Sequence, residues 1–484
     1  MARLSIGRAL QWWAEKDGGR PALSCEQRSI TRREFVQECN GLSRAFQALG
    51  VKQGDFVVVS LPNSIELIEA AVAATQLGAV VMPISSRLPP AERDPVIELV
   101  KPALIVGLPA GSCGLTPTLP QGYCRPKEFS SDPLPEVIAH PWFATTSGGS
   151  TGRPKVIVNN QAGLFDPEVP EANLAIERSS LIPGPLYHGA PFHTALRALM
   201  AGNHVIVMPR FDAETCIRLI DQYRVDYVPV VPTMMNRMWR LGPEVLGRHD
   251  LSSLRILVSL GAACPAWLKE CWIELLGPAH VHEFYTCTEQ LGMTWISGTE
   301  WLEHRGSVGR PINGSQVRIF GAGGEELPAG EIGDIYLMPA GGPGTSYRYI
   351  GAESKRREDG WETCGDLGWL DAEGYLYIAD RRTDLIVSGG SNVYPAEVEA
   401  AIDQHPAVRA SAVIGLPDDD LGHRVHAIVE AEQPFDVDDL RRWLAGRLAA
   451  SKIPRSFEFV SEAIRNESGK VRRAALRQAR LRIG

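Results

Sequence analysis

Short β-rich apolar runs alternate with helix-period segments along most of this chain, and that alternation restricts the fold more than any other feature. Residues 56–61 (FVVVSL) read as a buried strand, 64–77 (SIELIEAAVAATQL) as an amphipathic helix and 79–84 (AVVMPI) as the next strand. Further β-rich runs at 204–208, 227–231 and 256–260 each adjoin a helical stretch. Strand–helix–strand order implies parallel strands, because a parallel crossover needs the length of a helix and leaves that helix on the sheet face. From 306 to 337 the pattern changes to short strands with Gly-rich turns, which suits a smaller β subdomain. A second change comes near Asp380. There a polar stretch (381–384) precedes a short apolar run (385–388), a helix (395–405), strands (412–416 and 425–430) and another helix (437–449). About 100 residues of mixed α and β are enough for a small domain with its own core. The predicted fold is therefore α/β. A large N-terminal domain over 1–380 holds parallel sheets, flanking helices and the β subdomain, and a small α+β domain spans 381–484. Segment 341–350 (GGPGTSYRYI) reads as a surface loop, and no internal repeat is found.

Length agrees with this division, since 484 residues are too many for one compact core. A net charge of −8 argues against nucleic acid or an anionic membrane as the main partner. The nine cysteines show no CxxC pair and no metal-ligand spacing, which suits a reducing compartment. There is no run of about 18 apolar residues that would span a membrane, and residues 1–10 lack the apolar core of a signal peptide. A cytoplasmic enzyme is the expectation.

The chemistry is concentrated in a few islands. The first is 145–155, TTSGGSTGRPK, which follows an apolar Trp142-Phe143-Ala144. Glycines and hydroxyls in such a loop can surround phosphate with backbone N–H and O–H donors, and Lys155 adds a point charge. The spacing is not that of a P-loop, because Arg153 and Pro154 separate Gly152 from the lysine. Downstream lie Tyr285-Thr286-Cys287-Thr288-Glu289, then Thr363-Cys364-Gly365-Asp366 with Gly374-Tyr375. Asp380-Arg381-Arg382-Thr383-Asp384 leads into Ser388-Gly389-Gly390-Ser391-Asn392-Val393-Tyr394-Pro395, and Ser468-Gly469-Lys470-Val471 comes last. Singly, each is ordinary: Lys155 or Lys470 alone is a solvated lysine, and Thr288-Glu289 alone is a helix cap and first-turn acid. Their co-occurrence in this order reverses that reading.

Together these islands resemble the ANL superfamily of adenylate-forming enzymes, which includes acyl-CoA synthetases, adenylation domains and firefly luciferase. The resemblance covers essentially the whole chain, and more narrowly it is to bacterial bile-acid- and bulky-acid-CoA ligases. It implies the ANL fold and an ATP-dependent ligase that joins a carboxylic acid to coenzyme A through acyl-AMP, with Mg²⁺. By resemblance, Ser147, Gly148, Gly149, Ser150, Thr151, Gly152 and Lys155 would handle the β- and γ-phosphates. The ring of Tyr285 would lie against adenine. Thr288 would bond the α-phosphate and substrate carboxylate, and Glu289 would bind Mg²⁺. Asp366 would accept both ribose hydroxyls, and Arg381 would support ribose and phosphate. Lys470 would reach between carboxylate and α-phosphate during adenylation. Tyr187-His188 would form the gate between the acyl and thiol tunnels. Gly389 and Gly390 would line the pantetheine tunnel, where a side chain would obstruct a thiol arm. The family uncouples its two steps by rotating the C-terminal domain about a hinge that falls here at Thr383.

Three departures bear on the first step. Thr286 replaces the usual Gly of YGxTE, Ile464 replaces the usual Pro before the last glycine-lysine, and Asn466 is a milder change. They raise the reading of a half-reaction specialist that receives acyl-AMP from a partner. Pocket candidates Tyr187, Met234, Gly261, Ala262, Ala263 and Met293 are mostly small, apolar or adaptable, which suits a bulky hydrophobic acid with a steroid- or terpenoid-like body. Segment 187–203 holds no acid to pair a substrate ammonium, which disfavours amino acids. Loading of a carrier protein and a non-catalytic sensor of acyl-AMP or CoA are the other readings. A homodimer is compatible with all of them.

Overall fold

The computed structural model describes residues 3–147, 155–169, 171, 173–467 and 469–481, without the side chain of Ser147. Its first sheet runs in the order Tyr347–Ile350, Lys155–Asn159, Phe143–Ser147, Val80–Pro83, Phe56–Val59, Leu104–Val106, Thr118–Leu119. The strands from Phe143–Ser147 to Thr118–Leu119 are parallel, and the remaining pairs are antiparallel. The second sheet has 13 strands. Pro21–Cys25, His204–Val207, Ser179–Ile182, Tyr227–Val230, Ile256–Leu260 and Val281–Thr286 form its parallel half. From Met293–Ser297 onward it continues antiparallel through the short strands expected of a β subdomain.

The apolar runs divide by strand periodicity. Val57 and Val59 face a core shared with Leu67, Ile68 and Ala71 of the helix Ile65–Gln76 and with Val205 and Val207 of the second sheet. Val58 points the other way, into a separate cluster with Val80 and Met82. All three valines are fully buried, each contributing roughly 1.5–3 kcal/mol relative to exposure. The helix begins where the sequence expects it: the Ser64 hydroxyl accepts the Leu67 N–H at 3.2 Å.

The last hundred residues pair Val408–Asp418 antiparallel with Gly422–Ala431, and Gly422–Ala431 parallel with Ser456–Val460. Their core draws on Ile386, Val393, Val398, Val413, Val429 and Leu440. Among the described residues no hydrophobic cluster mixes side chains before Asp380 with side chains after Leu385. No described helix is long and apolar enough to cross a membrane.

One expectation fails. Segment 341–350 is not only a loop, because Tyr347–Ile350 is a strand on Lys155–Asn159. Tyr347 and Tyr349 stand two residues apart with ring centroids at 4.8 Å, so they share a face of that strand. The glycines before them dominated the sequence reading and hid the period of two.

Candidate active site

One cavity of about 3440 Å³ lies between the two sheets and the C-terminal domain. A pocket for one drug-sized ligand is roughly 300–1,000 Å³, so this one has room for several groups at once. His188, Tyr285, Thr288, Glu289, Asp366, Arg381, Lys155 and Lys470 all line it, as do Tyr187, Met234, Gly261, Ala262, Ala263 and Met293. Gly148, Gly149, Ser150, Thr151 and Gly152 lie outside the described residues, as does the Ser147 side chain.

Around Lys155, strand pairing determines the geometry. Lys155 opens its strand, and its Nζ donates to Tyr349 Oη at 3.1 Å and to Glu289 Oε1 at 3.4 Å. Tyr349 donates to the same Glu289 oxygen at 2.6 Å, and Lys155 Nζ also sits 4.3 Å from the Tyr349 ring centroid. Burial and then the Glu289 carboxylate hold the Tyr349 hydroxyl protonated well above its ordinary range. Tyr349 is the site residue that sequence reasoning missed, and the two-residue spacing with Tyr347 was the available signal.

Next to it, Tyr285 donates to Asp366 Oδ2 at 2.8 Å, and Arg381 Nε stands 3.5 Å from Asp366 Oδ1. Tyr285 is the penultimate residue of the strand Val281–Thr286, and Asp366 and Arg381 are cross-strand partners. Asp366 is thus oriented from both sides, with lone pairs left over for a ligand. Thr288 opens onto the cavity just before Glu289. The Thr286 hydroxyl bonds the Gly292 carbonyl at 2.8 Å, so its extra bulk is tied into a local turn.

Lys470 arrives from the C-terminal domain on a tight turn. Asn466 accepts the Lys470 N–H through Oδ1 at 2.9 Å, and the Asn466 N–H donates to the Lys470 carbonyl at 3.0 Å. Gly469 has φ of +73°, and a Cβ there would stand 2.8 Å from Thr233 Oγ1, so only glycine lets the turn come this close. The Lys470 side chain is open to the cavity but enclosed by its walls. Burial and then the Arg381 charge lower its pKa, against the opposing pull of Glu289 and Asp366. His188 caps the helix Gly189–Met200, and burial followed by the Lys470 charge pushes its pKa down to about 4, so it is neutral at pH 7. Ile464, the other departure, packs on Ile414, Leu416 and Ile428. Its N–H donates to Glu430 Oε2 at 3.1 Å, a bond that proline could not make.

Rim contacts hold the turn in place. Glu467 accepts from Tyr187 Oη at 3.4 Å and pairs with Arg87, while elsewhere on the same boundary Arg240 donates to the Asp403 carbonyl at 3.2 Å. The structure does not bring Gly389 and Gly390 to the cavity. They are the two loop residues of the hairpin Ile386–Ser388/Ser391–Val393, with φ of +54° and +79°. Positive φ at both positions is what such a tight hairpin turn demands. Arg197 and Glu171 also line the cavity as an ion pair at 3.7 Å, a polar element that the sequence reading passed over.

A magnesium ion fits the donor set. Glu289 offers a hard carboxylate that is already fixed in place, and Mg²⁺ in nucleotide sites takes one or two carboxylates plus phosphate oxygens.

A sequence model described as AMP-binding enzyme matches residues 10–349, and one described as AMP-binding enzyme C-terminal domain matches 397–470. A feruloyl-CoA synthase of an Amycolatopsis species is 32% identical over 471 residues, 93% of this chain and 94% of that one. A 2-succinylbenzoate–CoA ligase of Bacillus licheniformis is 31% identical over 483 residues, 96% and 98% of the two chains. Among solved structures, the anthranilate CoA ligase AuaEII in complex with anthranoyl-AMP has a TM-score of 0.83 at 25% identity, covering 99% of this chain and 98% of that one. The O-succinylbenzoate coenzyme A synthetase (MenE) of Bacillus subtilis with ATP and magnesium scores 0.81 at 25% identity, over 97% and 98%. The chain therefore belongs to the AMP-binding enzyme family of the ANL superfamily, and it is an ATP-dependent acid–thiol ligase of the acyl-CoA synthetase type.

Proposed function

We propose that this ligase converts a bulky hydrophobic carboxylic acid, of fused-ring or terpenoid type, to its CoA thioester, and that it carries out both half-reactions. The observation that carries the reading is the single cavity. It joins Lys470, Glu289 and Asp366 at one end to Met234, Ala262, Ala263 and Met293 at the other. Bound magnesium offsets the charge of the ATP phosphates. The chain's own residues do the rest. Lys155 and Tyr349 fix Glu289, Tyr285 and Arg381 orient Asp366 toward ribose, and Thr288 meets the carboxylate and α-phosphate. Lys470 places a cation where two anions must meet, an effect that belongs to the transition state. His188, neutral at this position, closes the acyl end without adding charge. We place the domain boundary at 380/381, with Thr383 as the hinge. Rotation there withdraws Lys470 and carries Gly389 and Gly390 to the thiol path.

The test uses two tubes of purified protein, with acyl-CoA read by mass spectrometry. One holds ATP, Mg²⁺, CoA and a panel of short aliphatic, aromatic, steroid and diterpenoid acids, each bulky body with and without an oxygen at its far end, near Arg197. The other holds CoA and the matching acyl-adenylates. Product in both tubes, strongest with the bulky acids, is expected. Acetate turned over as fast as the steroid acids would sink the substrate class, and product only from the adenylates would sink the complete reaction.

A further inference from the structure

Two thiols beside the nucleotide end of the cavity have no part in the proposed reaction. Cys287 follows the strand Val281–Thr286, and Cys364 lies two residues before the strand Asp366–Leu370. The antiparallel half of the sheet brings them together, although 77 positions separate them in the chain (364 − 287). The Sγ of Cys287, the Sγ of Cys364 and a carboxylate oxygen of Glu289 all lie within 4.8 Å of one another. Both thiols are free and half-buried, and all three residues line the cavity. Among the described residues no other three His, Cys, Asp or Glu side chains gather so closely.

This donor set is wrong for magnesium, which takes oxygen ligands, and right for a borderline-soft d¹⁰ cation. Tetrahedral zinc with bonds of about 2.3 Å to sulfur and about 2.0–2.2 Å to oxygen leaves its donors a little under 4 Å apart, within a side-chain rotation of the present arrangement. Three protein ligands leave a fourth position, and here it faces the cavity. Lys155 and Tyr349 already hold the Glu289 carboxylate against drift.

We propose that Cys287, Cys364 and Glu289 form a binding site for a thiophilic divalent cation such as Zn²⁺, and that its occupation excludes Mg-ATP. On binding, each thiol gives up its proton to solvent and both sulfurs join the metal as thiolates. The exclusion rests on the reading of Glu289 as the magnesium carboxylate, since one carboxylate cannot serve both ions in their own geometries. The site itself does not rest on that reading. Zinc would act as a reversible inhibitor of adenylation set apart from substrate choice.

Cobalt(II) is the probe, added to the fully reduced full-length protein without ATP or acid. A near-ultraviolet thiolate-to-cobalt absorption is expected, saturating at one cobalt per chain and bleached by zinc. In C287S and in C364S the absorption per bound cobalt falls by half or more. At about ten times the nucleotide's own dissociation constant, Mg-ATP raises the apparent dissociation constant for cobalt about tenfold. Wild-type protein without the near-ultraviolet band, or a band that survives both substitutions, overturns the site. A band whose cobalt affinity ignores saturating Mg-ATP overturns the exclusion. Because no turnover is measured, failure of the acid panel with the cobalt band intact counts against the substrate reading alone.

Discussion

Lys470 and Tyr349 show how much of the proposed catalytic end depends on single groups. In the adenylation role we propose, Lys470 must be a cation, and burial with Arg381 nearby lowers its pKa below the ordinary 10.5. It therefore loses its charge as pH rises through a value below 10.5. The adenylation rate, followed by ATP–pyrophosphate exchange, should fall on the alkaline side earlier than a free lysine would require. Lys470→Arg should have a lower rate but no such limb, because guanidinium stays charged. Tyr349→Phe removes the hydroxyl that donates to Glu289 and accepts from Lys155. Bonds to charged groups contribute about 1.5–3 kcal/mol, so KM for Mg-ATP should rise roughly 10- to 100-fold in steady-state kinetics. The two residues were unequally legible. Lys470 sits in a contiguous motif, whereas the role of Tyr349 comes from a strand pairing across 192 residues (349 − 157), Tyr349 with Ile157 being one pair of that register.

Elements were legible where their signals are local. The helix Ile65–Gln76 carries its cap in Ser64, and the valines of Phe56–Val59 alternate between two cores, so periodicity and capping suffice. Gly389 and Gly390 show the limit. The family resemblance implied a passage for a thiol arm there, but the backbone first requires them as a hairpin turn. The two demands can be separated. Gly390→Ala puts a Cβ at φ of +79° and should destabilise the C-terminal domain by about 1–2 kcal/mol in denaturant unfolding. Gly390→Asn, which tolerates left-handed backbone, should recover most of that stability. It should still slow thioester formation from preformed acyl-adenylate while leaving pyrophosphate exchange alone. Equal rates in both assays would remove the glycine pair from the thiol path.

At the scale of the molecule, the way the two parts dock is polar. Arg87 with Glu467, Tyr187 with Glu467, Arg240 with the Asp403 carbonyl, and Arg472 with Glu92 at 4.0 Å cross the boundary, and no described hydrophobic cluster does. Exposed ion pairs contribute about 0–1 kcal/mol each and are screened by salt. Raising salt from about 0.1 M to about 1 M shortens the screening length from about 10 Å to about 3 Å. Adenylation should slow several-fold over that range, while thioester formation from acyl-adenylate holds steady, and parallel loss of both would show that docking is not the cause. None of this was legible beforehand, since partners in a docking surface carry no periodicity and no fixed spacing.

The Glu467 contacts at the rim reach further. The loop that delivers Lys470 also closes the cavity over Tyr187, so one weak latch serves both catalysis and containment. A mixed anhydride survives only while water is kept from it, and the latch that shields it must open before thiol can enter. Leakage and turnover are thus set against each other by the strength of a few surface charges, and a variant with a firmer rim would waste less ATP and work more slowly.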